Sequence, residues 1–170
     1  SKNLVCTPIG DFVYNKLIIA TGATTNFFGN KTIESNAIPM KSVNEALYLR
    51  NKLLQNFEDA LSVSEDERQA LMNIVVVGGG ATGVEVSGAL AEMKKCILPK
   101  DYPELDFKKM HIYLIEAGPK TLGAMSEESS AKSREYLEKL GVNVWTSTQV
   151  KGYDGNTIEL ANGKTLATKT

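Results

Sequence analysis

The sequence is poor in the residues on which most metal and nucleophile chemistry depends. Its 170 residues include one histidine, His111, and two cysteines, Cys6 and Cys96. A His-based metal centre or a Ser/Cys–His machine would rest on that single histidine. The cysteines form no C-x-x-C pair, zinc-spaced set or disulfide framework, and they fit two ordinary thiols in a reducing cytoplasm. Excess charge of one sign is missing too. Nineteen Lys+Arg against 20 Asp+Glu leave a formal charge of −1, so no nucleic-acid partner is expected. No apolar run approaches the roughly 20 residues needed to span a bilayer, and Ser1–Val5 lacks the layout of a signal peptide. Internal repeats and low-complexity tracts are absent.

What is present is ordinary globular composition, 42% hydrophobic and 23% charged, arranged as alternating strand and helix patterns. Lys16–Ala20 is a short apolar run that reads as a buried strand entering a turn at Thr21-Gly22. A polar connector from Thr24 follows and closes at Pro39. Ser42 with Glu45 makes a capping box for a helix to about Ala60, with Ala46, Leu49, Leu53, Leu54 and Phe57 on one face. Ser62–Arg68 reads as a second polar stretch. Asn73–Val77 is β-branched and runs into glycines, as expected of a strand buried on both faces. A helix from Ala81 to about Leu98 carries the stripe Val86, Leu90, Met93 and Ile97 and is stopped by Pro99. Met110–Glu116 is a second apolar strand. Ser126 caps a helix with Glu127 and Glu128 in its first turn, Glu135 and Lys139 as an i,i+4 pair, and Gly141 beyond its end. Val142–Thr146 is a third strand, and Val150–Tyr153, Thr157–Leu160 and Lys164–Ala167 follow as a meander. Asp154-Gly155-Asn156 and Asn162-Gly163 supply its turns. The expected fold is α/β: a Rossmann-like parallel sheet with helices on both faces and a small antiparallel meander.

Gly78-x-Gly80-x-x-Gly83 lies between the strand ending at Val77 and the helix opening at Ala81, the context in which this pattern carries weight. Gly78 permits a tight turn, Gly80 leaves room for a pyrophosphate against the backbone, and Gly83 allows close helix–sheet packing. The N–H groups around Gly79, Gly80, Ala81 and Thr82, with the positive end of the helix dipole, suit phosphate charge. Gly83, Ser87 and Ala91 continue the small face into the helix. Glu116, ending the second strand, is the candidate acceptor for the adenosine ribose hydroxyls, which favours NAD over NADP. The distance from Gly83 to Glu116 exceeds the usual spacing, and one proline-bounded, loop-like insertion, Cys96–Asp106, accounts for the excess. A solvated strand-end acid is the plainer alternative for Glu116. For Glu85 that alternative is an acid in the first turn complementing the helix dipole. Tyr113 and Trp145 read as core, and the Lys94-Lys95 and Lys108-Lys109 pairs as solvated surface. A P-loop would need Gly-Lys-Ser/Thr where Thr82-Gly83-Val84 stands, and a methyltransferase would carry an acid where Val77 stands.

On these residues the sequence resembles type II NADH dehydrogenases, the non-proton-pumping NADH:quinone oxidoreductases of the pyridine nucleotide-disulfide reductase superfamily. The likeness is carried by residues 14–29, 42–50, 75–85 and 112–118, and by the insertion at 97–106. It implies that Ala20-Thr21-Gly22 matches a segment lining an FAD site. It also implies that Glu85 matches a glutamate near the nicotinamide, and Ala117 joins Glu116 in the expected cofactor site. No residue of this chain is expected to be catalytic itself.

The resemblance further implies a flavoprotein oxidoreductase that passes hydride from NADH to FAD and on to quinone. The longer protein would be cytoplasmic and peripheral on the cytoplasmic membrane face. The first FAD-binding glycine motif, the return strand and the membrane-binding region are not in this sequence. The expected division is therefore a remnant of the FAD-binding domain at 1–28, a connector and helix at 29–72, and the NAD-binding domain at 73–170, inactive alone. Another flavoprotein reductase of NADH oxidase or ferredoxin reductase type, and a stand-alone NAD-sensing module, are the competing readings.

Overall fold

The computed structural model describes residues 3–170. It opens with an antiparallel hairpin, β1 (Leu4–Thr7) and β2 (Gly10–Val13), with Leu4 opposite Val13. Lys16–Ala20 forms no strand. Leu17, Ile18 and Ile19 are exposed, and residues 15–25 make no hydrogen bond to other described residues. The expected buried strand is therefore not formed. An apolar run is buried as a strand only when neighbours pair its backbone and cover its faces, and the described residues supply neither. Within the expected polar connector, Asn30 caps a short helix, α1 (Lys31–Asn36).

Ser42 and Glu45 close the expected capping box at the start of α2 (Val43–Ala60). The Ser42 N–H donates to Glu45 Oε2 at 2.6 Å and the Glu45 N–H to Ser42 Oγ at 3.3 Å. Leu53 and Phe57 are buried, whereas Leu54 lies on the exposed side. Ser62–Arg68 is not simply polar connection. Ser64 and Glu67 form a second capping box, opening α3 (Glu65–Met72), which runs directly into β3 (Asn73–Val77). The chain then forms α4 (Ala81–Cys96), α5 (Leu98–Asp101), a 3-10 turn at Phe107–Lys109, and β4 (His111–Ile115). Pro99 does not simply end a helix. It sits in the first turn of α5, where its missing N–H costs nothing. The insertion is a packed element rather than a loop, because Leu98 and Leu105 are buried, as is Phe107 just beyond it. Phe57 meets the rings of Tyr102 and Phe107 at centroid distances of 5.7 and 5.8 Å. Ile97, expected in the stripe of α4, is exposed, while Ser87 and Ala91 on the small face are buried. After α6 (Glu127–Lys139) come β5 (Val142–Trp145) and the meander β6 (Val150–Tyr153), β7 (Thr157–Leu160) and β8 (Thr165–Ala167).

Among the described residues the central sheet has the order β3-β4-β5, all parallel, with Asn73 opposite His111 and Ile112 opposite Val142. Strands laid down in sequence order by right-handed crossovers place their helices on one face. There α2, α3, α4 and α6 pack on Ile74, Ile112, Leu114, Val142 and Val144. The period of two along each strand turns Val75, Tyr113, Ile115 and Trp145 to the other face, which the meander and Ile33 of α1 cover. Tyr113 and Trp145 thus belong to a second core, with ring centroids 5.0 Å apart. Lys94 and Lys109 are more than solvated surface. The Lys94 ammonium donates to the Met110 carbonyl at 2.7 Å, with burial lowering its pKa, and Lys109 pairs with Glu65. No helix among the described residues is long and apolar enough to cross a membrane.

Candidate functional site

The carboxyl ends of β3 and β4 meet at the glycine turn. Gly78 continues the parallel ladder, its N–H donating to the Ile115 carbonyl at 2.8 Å, and then turns the chain with φ +108°. Gly80 caps α4 with extended backbone and offers no side-chain acceptor to the first N–H groups of the helix. The serine caps of α2, α3 and α6 all do so. A Cβ built on Gly80 meets nothing within 4 Å, so the space beside this backbone is open. Gly83 is different: a Cβ there would lie 1.9 Å from the Gly78 carbonyl oxygen and 3.4 Å from Leu114 Cδ1. Its lack of a side chain therefore serves the turn first and helix–sheet contact second. Ala81 and Thr82 are exposed on the first turn of α4. Glu85 is exposed as the fifth residue of that helix, beyond its first turn, which weakens the dipole role.

Glu116 follows β4 and reaches back over the glycine turn. Its Oε2 accepts from the Gly79 N–H at 2.6 Å and its Oε1 from the Gly118 N–H at 2.5 Å. Each oxygen keeps lone-pair capacity for a further donor. The loop after β4 is tied down on both sides, since the Leu122 N–H donates to the Gly79 carbonyl and the Ser147 N–H to the Gly118 carbonyl, each at 2.7 Å. Thr121 and Ser130 bind each other's backbone carbonyls, at 3.2 and 2.7 Å, and fix the loop to α6. Between turn and loop lies a cleft of about 330 Å³ lined by Gly79, Gly80, Glu116, Gly118, Pro119, Lys120 and Gly123.

The structure thus brings the glycine turn and Glu116 together. Ala117 is exposed beside them and does not line the cleft. Thr21 and Gly22 are exposed in the unpaired segment and are not among the cleft residues. Sequence reasoning noted Lys120 only as the cation nearest to Glu116 and assigned the rest of the far wall, Gly118, Pro119 and Gly123, no part in the site. Its one visible sign was the Gly-Pro turn two residues past the strand-end acid. The residues present suit an anionic dinucleotide, offering open backbone at Gly80, an uncapped helix start and a carboxylate at the cleft's edge. Thr21 and Gly22, matched by resemblance to a segment lining an FAD site, make no hydrogen bond to other described residues.

A mycobacterial protein named type II NADH:quinone oxidoreductase Ndh, from Mycobacterium tuberculosis, is 37% identical over 146 residues, covering 85% of this chain and 32% of that protein. A probable NADH dehydrogenase of Dictyostelium discoideum is 34% identical over 152 residues, covering 88% of this chain and 34% of its own length. The solved structure of NDH2 from Plasmodium falciparum in complex with NADH superposes with a TM-score of 0.83 at 29% identity, covering 94% of this chain and 34% of that one. The chain spans about a third of the length of these relatives. A family model described as pyridine nucleotide-disulphide oxidoreductase matches residues 2–170, and the chain belongs to that family.

Proposed function

We propose that this chain is the NADH-binding part of a flavin-dependent NADH:quinone oxidoreductase of type II. The observation that carries the reading is the closure of Glu116 onto the Gly79 N–H, which sets a carboxylate at the rim of an open, uncapped helix start. In this reading the N–H groups of Gly80, Ala81 and Thr82 receive the pyrophosphate, and the free lone pairs of Glu116 receive the adenosine ribose hydroxyls. Glu85 lies toward the nicotinamide. Negative charge at Glu116 repels a 2′-phosphate, so NADH is preferred to NADPH. The relatives' printed names supply the acceptor, quinone.

FAD would be held by parts of the longer protein, with residues 1–28 joining it, 29–72 connecting, and 73–170 forming the NAD domain. Bound flavin would supply the acceptor for the nicotinamide hydride. Membrane contact, peripheral and on the cytoplasmic face, also belongs to parts outside this chain.

The test is an assay of the longer protein with NADH and a soluble quinone. Rapid NADH oxidation coupled to quinone reduction is expected. NADH-dependent peroxide or disulfide turnover without quinone activity would overturn the assignment.

A further inference from the structure

The Glu116 cleft adjoins a second one of about 190 Å³, lined by Pro119, Lys120, Thr121, Glu127, Ser130 and Arg134 among others. Pro119 and Lys120 line both. Lys120 is therefore a cation at the edge of the space that a group on the adenosine ribose would enter. Its charge is already engaged. Lys120 Nζ lies 2.6 Å from Glu127 Oε1 and donates to the Met125 carbonyl at 3.4 Å. Arg134, the other cation of the second cleft, is held by Glu138 at 2.8 Å.

We propose that Glu127 is a specificity-determining residue for the cofactor: by pairing Lys120 it withholds the cation a 2′-phosphate needs, and so assists Glu116 in excluding NADPH. The inference rests on the dinucleotide reading above. A 2′-phosphate carries about −1.5 to −2 charge at neutral pH, as other phosphomonoesters do. Entering beside Glu116, it meets one negative charge and an ion pair of net zero, and the sum is repulsive. With Glu127 neutral, the Lys120 charge would offset that of Glu116.

The geometry makes the pair separable. The Lys120 side chain is 27% exposed and packed into the cleft wall, whereas that of Glu127 is 88% exposed. Glu127 is placed by the Ser126 cap of α6, whose Oγ accepts from the Ser129 N–H at 3.1 Å, and Glu128 remains to complement the helix dipole when Glu127 is changed. Loss of the carboxylate thus leaves both lysine and helix start in place.

The experiment titrates NADH, NADPH and 2′,5′-ADP by calorimetry into the 170-residue chain and its Glu127→Gln, Lys120→Met and doubly substituted forms. Glu127→Gln should tighten NADPH and 2′,5′-ADP by roughly three- to fivefold, the upper part of what one exposed charge pair allows. NADH should stay within about twofold, and the gain should shrink with added salt. The double variant should lose the gain, since the effect runs through Lys120. A merely structural role for Glu127 would move all three ligands alike. If NADH binds but its ratio to NADPH is unchanged in Glu127→Gln, or if the gain survives Lys120→Met, the Glu127 inference is overturned while the site stands. If none of the three ligands binds the wild-type chain, the dinucleotide reading itself fails and takes this inference with it.

Discussion

Gly83 lies so close to Gly78 that one added methyl would sit 1.9 Å from the Gly78 carbonyl oxygen. Backbone, not a flexible side chain, occupies that position, so the turn itself would have to move. Gly83→Ala should destabilise the chain by about 1–3 kcal/mol in urea denaturation, the usual range for forced overpacking. It should also remove NADH binding measured by calorimetry. Gly80→Ala is the matching control: its methyl meets only open space, so stability should hold while phosphate access is lost. Equal stability of the two variants would contradict this division of labour.

Glu116 holds two loops together as well as facing the cleft. Glu116→Ala leaves the Gly79 and Gly118 N–H groups without their acceptor, a loss of about 1–3 kcal/mol. Glu116→Gln keeps one acceptor oxygen and loses the charge, so it should be milder in stability yet narrow the preference for NADH over NADPH. Denaturation together with paired titrations separates these effects.

The Lys41 and Ser42 N–H groups, both donating to Glu45, hold its carboxyl below the ordinary glutamate range. A lowered folded-state value means that the stabilisation is present above the unfolded value and is lost as pH falls through the folded one. The start of α2 should therefore loosen only in acid, below the ordinary glutamate range. Glu45→Gln should flatten that part of a pH–stability curve by lowering stability at neutral pH toward the wild type's acid value, with little change in acid.

Phe57 is fully buried against Tyr102 and Phe107, and it joins α2 to the insertion. Phe57→Ala should cost about 3–5 kcal/mol and increase amide exchange across residues 98–109 as well as in α2.

Purified chain should be colourless, because in the proposed division FAD is held by parts of the longer protein. NADH absorbance should hold steady in the presence of quinone. A yellow preparation with a flavin spectrum would count against the domain division proposed above.

Much of this architecture was legible from periodicity and punctuation. β3 is a β-branched run that ends at a glycine turn, β4 an apolar run that ends at an acid, and α2 announces itself through Ser42 and Glu45. The same spacing at Ser64 and Glu67 escaped notice because α3 is eight residues long and its buried face, Ala70-Leu71-Met72, runs directly into a strand. Lys16–Ala20 misled for the opposite reason: its composition is that of a core strand, but a strand's burial depends on neighbours. Pro99 can follow one helix or begin another, and only the packing of Leu98 decides. At the site, the acid could be found by its place at the end of the second apolar strand, despite a longer spacing than usual. Its bonds to Gly79 and Gly118, and the pairing of Lys120 with Glu127, depend on loops that meet only in three dimensions.

The bare run of Leu17, Ile18 and Ile19 has a practical side. It is a water-wetted apolar strip whose backbone groups make no hydrogen bond to other described residues, a form that invites edge-to-edge joining between molecules. With a formal charge of −1, the molecules hardly repel one another. Concentrated stocks of this chain should therefore turn cloudy sooner than its well-packed centre would suggest, and a lysine at Ile18 should keep them clear without touching the fold.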